Sequence, residues 1–106
     1  MKNYNELLSR VTSLANNQLV THITSKTCDF FTLQSYNSIV CIIDYKDKII
    51  TFGKDYDYSK TTLKYLYRFL IAYYCVDDYN KKYIQKMIKD WKAAWWFTVI
   101  YNNELQ

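Results

Sequence analysis

The sequence predicts an α+β domain in which a four-stranded antiparallel meander packs against two C-terminal helices, with a short N-terminal helix. Three observations lead to this class. Between residues 18 and 54 the apolar positions recur at a period of two and β-branched residues accumulate. From residue 60 onward the period lengthens to that of a helix. The segments separating the four strand candidates are too short for crossover helices, so neighbours should run antiparallel. At 106 residues, half of them apolar, the whole chain 1–106 is expected to form a single domain able to bury a core.

The elements follow in order. Tyr4, Leu7, Leu8, Val11, Leu14 and Ala15 fall at the i, i+3, i+4, i+7 spacing of one helical stripe, and Asn16-Asn17 closes it. Strands are expected at Leu19-Val20-Thr21-His22-Ile23-Thr24, Phe30-Phe31-Thr32-Leu33, Ile39-Val40-Cys41-Ile42-Ile43 and Ile49-Ile50-Thr51-Phe52. The third is apolar on both faces, as a central strand would be. Ser59 can cap a helix over residues 60–75 by accepting the N–H of Thr61 or Thr62, with Leu63, Leu66, Tyr67, Leu70, Tyr73 and Tyr74 as its buried stripe. Asp77 or Asp78 can cap a second C-terminal helix carrying Tyr83, Ile84, Met87, Ile88, Trp91 and Trp95 on one side. Residues 97–101, Phe-Thr-Val-Ile-Tyr, suit either a continuation of that helix or a final strand.

Composition excludes several classes. No Pro and one Gly, Gly53, remove Gly-rich phosphate loops, collagen-like repeats and flexible linkers. Cys28, Cys41 and Cys75 are odd in number and never approach Cys-x-x-Cys spacing, so they read as buried thiols. The N-terminus lacks the apolar region of a signal peptide and no apolar run reaches membrane-spanning length, which predicts a cytoplasmic protein. Heavy use of Lys, Asn, Ile and Tyr is what AT-rich codons produce and hints at a low-GC bacterium or its phage.

The candidate chemistry points to binding, with no catalysis and no cofactor. His22 is the single residue titrating near neutrality, and within a strand it reads as a solvent-facing or hydrogen-bonded side chain in preference to a partner of Cys28 or Cys41. Asp44, Asp47, Asp55 and Asp57 are turn residues without the Gly-bearing spacing of a calcium loop, and they leave an acidic patch that could answer a basic partner. Lys60, Lys64 and Arg68 line one side of the first C-terminal helix. Lys82, Lys86 and Lys89 lie on the second, opposite its apolar stripe. Each basic line suits an acidic or phosphate-bearing partner, yet a net charge of +4 without any known nucleic-acid signature makes direct nucleic-acid binding the second reading. Twenty aromatic residues in a chain of 106 cannot all be buried alongside the aliphatics. Tyr36, Tyr45, Tyr56 and Tyr58 at strand ends and turns, Tyr65 off its helix stripe, and Trp96 off its helix face are expected to form an exposed contact surface.

Ser35-Tyr36-Asn37-Ser38-Ile39-Val40, a strand pair, then Tyr58-Ser59-Lys60-Thr61-Thr62-Leu63-Lys64-Tyr65 with Phe69-Leu70 beyond resembles a family of small uncharacterised phage and mobile-element proteins. Their pattern runs Ser-Tyr-x-Thr, strand, strand, Tyr-Ser-x-Thr-Thr, helix. The match spans residues 35–70. Members often carry a His where this chain has Tyr65, so no role of that His is carried over. The resemblance implies a phage accessory protein of the kind that includes anti-CRISPR and other anti-defence inhibitors. The expected function is stoichiometric binding to a host defence protein, a type II CRISPR effector nuclease with its guide RNA being the foremost partner. The alternative is a phage nucleic-acid-binding regulator that uses the lysine face of the second C-terminal helix. The oligomeric state is left open.

Overall fold

The computed structural model describes residues 8–74, 81–90, 97–102 and 104–105. Among these residues six strands and two helices follow in the order β1 (Leu8–Ala15), β2 (Gln18–Thr24), β3 (Asp29–Ser35), β4 (Ser38–Asp44), β5 (Ile49–Gly53), α1 (Lys60–Tyr74), α2 (Lys81–Asp90) and β6 (Thr98–Asn102). The strands form one sheet in sequence order, antiparallel from β1 to β5. The last pair, β5 and β6, is parallel. A parallel neighbour requires a long return connection, and α1 and α2 supply it. Packed against the sheet, α1 lies on β3 and β4 and α2 on β6.

The fold class expected from sequence is therefore corrected: a six-stranded mixed sheet replaces the four-stranded meander, and the described part of the expected N-terminal helix, residues 8–15, is a strand. Over Leu8–Ala15 the chain pairs with β2 instead, Leu8 facing Thr24 and Val11 facing Thr21. The helical stripe of that segment was ambiguous, because Val11, Thr12 and Ser13 serve a strand equally well and pairing satisfies their backbone groups. Asn16-Asn17, read as a helix end, makes the hairpin turn, with Asn17 at φ 63°. As an edge strand β1 buries little, and Val11 is 61% exposed. Residues 97–101, left open between helix and strand, provide Phe97 and most of β6. The expected continuation of the second C-terminal helix to Trp91, Trp95 and Trp96 falls outside the described residues.

Period-two alternation decides which face is covered. Val20, Leu33, Cys41, Ile43, Ile50, Phe52 and Val99 point to one side and are buried with Leu66, Phe69, Leu70, Ile84 and Met87 of the helices. Thr21, Ile23, Phe30, Thr32, Ile42 and Thr51 occupy the opposite side and stay half-buried. Burial drives the Cys41 thiol far above its ordinary pKa, so it stays protonated and inert. Cys28 departs from the buried-thiol expectation: it is half-buried with Sγ 3.3 Å from Ser25 Oγ.

Gln18 is the exception on the covered side. It is fully buried opposite Ser35, and neither its Oε1 nor its Nε2 has a hydrogen-bond partner among the described residues. A buried amide without partners loses its hydration for nothing in return. Gln18→Met is therefore expected to stabilise the fold by about 1–3 kcal/mol, read as a higher urea midpoint at unchanged slope. A lower midpoint would show that the amide has a partner in solution.

A hydroxyl-lined cavity at the start of α1

The segment after β5 is built of two successive turns. Tyr56 N–H donates to Gly53 O at 3.2 Å and Tyr58 N–H to Asp55 O at 3.1 Å. Ser59 then caps α1: Thr62 N–H donates to Ser59 Oγ at 3.1 Å, and Leu63 N–H donates to Ser59 O at 3.0 Å as the first helical bond. Facing this helix start is the β3–β4 turn. Tyr36 sits there at φ 56°, a conformation that costs a bulky residue energy and persists where its surroundings impose it. Those surroundings are visible: Tyr36 N–H donates to Asn17 O at 2.7 Å, and Gln34 Nε2 donates to Tyr36 O at 2.9 Å. The turn is held from both sides.

Between the turn and the helix start lies a cavity of about 610 Å³, within the range of roughly 300–1,000 Å³ usual for small-molecule sites. Ser35, Val40 and Thr62 are its buried lining. Ser38, Asp55 and Ser59 form half-buried walls. Tyr36, Asn37, Tyr58 and Thr61 stand exposed around them, Tyr36 at 49% and Tyr58 at 75%. The hydroxyls are linked across the fold. Ser35 Oγ lies 3.0 Å from Thr62 Oγ1, joining β3 to α1. Ser59 Oγ–H donates to Thr62 Oγ1 at 3.2 Å, and Ser38 Oγ–H donates to Asp55 Oδ2 at 2.7 Å, joining β4 to the turn after β5.

The residues that sequence reasoning singled out divide into those at the cavity and those away from it. Tyr36 and Tyr58 come together at the cavity. Tyr56 is corrected: it is half-buried, edge-on to Phe52 at 5.9 Å and to Tyr101 at 6.3 Å, and burial together with the Asp57 carboxylate raises its phenol pKa. Tyr45 likewise packs edge-on against Phe31 and Phe97. Lys60, Lys64 and Arg68 are exposed along α1, and the half-buried Tyr65 ring lies beneath two of them, 5.5 Å from Lys64 Nζ and 5.2 Å from Arg68 Cζ. Lys82, Lys86 and Lys89 are exposed on α2. His22 is a hydrogen-bonded strand histidine, its Nε2 2.8 Å from Asp29 Oδ1 and its ring stacked on Phe31 at 4.0 Å. Trp96 lies outside the described residues.

Sequence reasoning missed Ser35, Ser38, Asp55, Ser59, Thr61 and Thr62 as a set. A signal for them existed. All ten lining residues except Asp55 fall in the two segments, 35–40 and 58–65, that carry the resemblance to phage proteins. Read separately they are a hairpin turn and a capped helix start. The tertiary structure shows that they face one another. Among the described residues no cluster of three His, Cys, Asp or Glu side chains is placed to hold a metal ion, and no helix is long and apolar enough to cross a membrane. Comparison with curated proteins and with solved structures gave no match. A family model does match, over residues 2–88, and covers both halves of the cavity: the chain belongs to the family of unknown function DUF8033.

Proposed function

We propose that this chain is a phage-encoded binding protein of the host cytoplasm that occupies a bacterial defence protein stoichiometrically and does no chemistry of its own. The observation that carries the reading is the pair of exposed tyrosines, Tyr36 and Tyr58, set around a cavity, each on a turn held by a backbone hydrogen bond. Tyrosine supplies large contact area at small entropic cost, and a prearranged turn lowers the cost of binding further. The resemblance of residues 35–70 to phage proteins makes a type II CRISPR effector nuclease with its guide RNA the partner to examine first.

Purified protein in molar excess is expected to suppress target cleavage by the host effector. The double substitution Tyr36→Ala with Tyr58→Ala should weaken inhibition by at least about tenfold, equivalent to ~1.4 kcal/mol or more. Undiminished cleavage with the unaltered protein would remove the CRISPR effector as partner. The second reading, a nucleic-acid-binding regulator, draws support from the exposed line Lys60, Lys64 and Arg68 and from Lys82, Lys86 and Lys89. It requires affinity for DNA or RNA that falls by orders of magnitude between ~50 and ~200 mM salt.

A further inference from the structure

The cavity's hydrogen-bonding inventory is lopsided. The Ser38 proton is engaged by Asp55 Oδ2 and the Ser59 proton by Thr62 Oγ1. One further proton lies between Ser35 Oγ and Thr62 Oγ1. Three of the seven lining hydroxyls, the phenols of Tyr36 and Tyr58 included, thus direct their protons at other lining groups. Asp55 Oδ1 adds an acceptor with no partner among the described residues. The lining contains this one carboxylate and no Lys, Arg or His. A positive end of roughly half a charge at the first turn of α1 opposes it only in part. A wall whose one formally charged side chain is a carboxylate favours a cationic ligand that brings several donors.

From this juxtaposition we propose that the cavity between the β3–β4 turn and the start of α1 receives an arginine side chain from a partner protein, with Asp55 as its carboxylate and Tyr36 and Tyr58 as flanking aromatic surfaces. Guanidinium has five N–H donors in one plane and no acceptor, pairs with carboxylates and stacks on aromatic rings. The volume of about 610 Å³ also leaves room for backbone on either side of the arginine, which favours a peptide over free arginine. The proposal rests on the binding-protein reading above and names what that site recognises.

The test is an NMR titration of the ¹⁵N-labelled full chain with N-acetyl-arginine-N-methylamide. Its neutral citrulline analogue, the lysine analogue and free arginine serve as comparisons. The arginine amide is expected to shift resonances of residues 35–40 and 55–62, with citrulline at least about tenfold weaker and free arginine weaker than the amide. Asp55→Asn should abolish the shifts while leaving the folded spectrum intact, and Asp47→Asn, at an exposed turn, should not change them. Equal shifts with citrulline, binding that survives Asp55→Asn in a folded protein, or no shift at these residues would each overturn the proposal. Its failure is separable from that of the inhibitor reading. Arginine-amide binding without inhibition of the effector removes the proposed partner and keeps the site, whereas inhibition that persists in Asp55→Asn removes the arginine.

Discussion

Phe52→Ala is expected to lower the unfolding free energy by about 3–5 kcal/mol. Phe52 is fully buried in the interior strand β5, opposite Cys41, and Tyr56 packs edge-on to its ring at 5.9 Å. Removing the ring forfeits the transfer energy of its buried surface and leaves a hole that the paired strands cannot close. For a domain of this size the loss is a large part of the whole stability, so the urea midpoint should fall sharply. Tyr36→Ala at the exposed turn is the comparison, expected to stay within about 0.5 kcal/mol of the unaltered protein. A loss below ~1 kcal/mol for Phe52→Ala would mean that β5 does not sit where the sheet register puts it.

Gly53→Ala should be the second most destabilising change, opposite in sign to the usual outcome. An alanine in place of a strand glycine ordinarily helps by roughly 0.5–1 kcal/mol, because the unfolded chain loses freedom. Here an added Cβ would run into the carbonyl oxygen of Ile39, a backbone atom that cannot turn aside. A loss of about 1–3 kcal/mol is expected, a fall in Tm of roughly 4–8 °C for each kcal/mol. The close approach of Gly53 to Ile39 also helps bring the turn after β5 within reach of Ser38. The same substitution should therefore loosen the 2.7 Å contact between Ser38 and Asp55. An unchanged or higher Tm would show that the two strands do not approach this closely.

Much of the molecule is local in origin, and that part was legible. The segments that became β2 to β5 alternate strongly, are separated by short polar turns and need only their immediate neighbours to pair. Ser59 caps α1 because the cap, its acceptor and its donor lie within three residues of one another. Tyr36 and Tyr58 stay exposed because each sits in or beside a turn. Where tertiary burial competes with exposure, composition misleads: Tyr45 and Tyr56 have the same turn setting, yet both rings pack inward against aromatic neighbours.

The two edges of the sheet were decided at long range. Leu8–Ala15 carries a pattern that serves helix or strand, and only the open side of β2 selects the strand. Thr98–Asn102 has strand propensity, but nothing near it in sequence says that its partner is β5, whose residues pair with it 49 positions earlier, or that the pairing is parallel. The cavity belongs to the same category. Residues 35–40 and 58–62 read as two ordinary local devices, and the bond between Ser35 and Thr62, 27 residues apart, exists only once α1 lies across β3 and β4. By itself the sequence determined the strand segments, the cap and the basic lines, because short-range periodicity and hydrogen bonding specify them. Which edge strands join the sheet, which tyrosines turn inward and which hydroxyls line one cavity with Asp55 depended on packing between distant segments, whose energies no local pattern encodes.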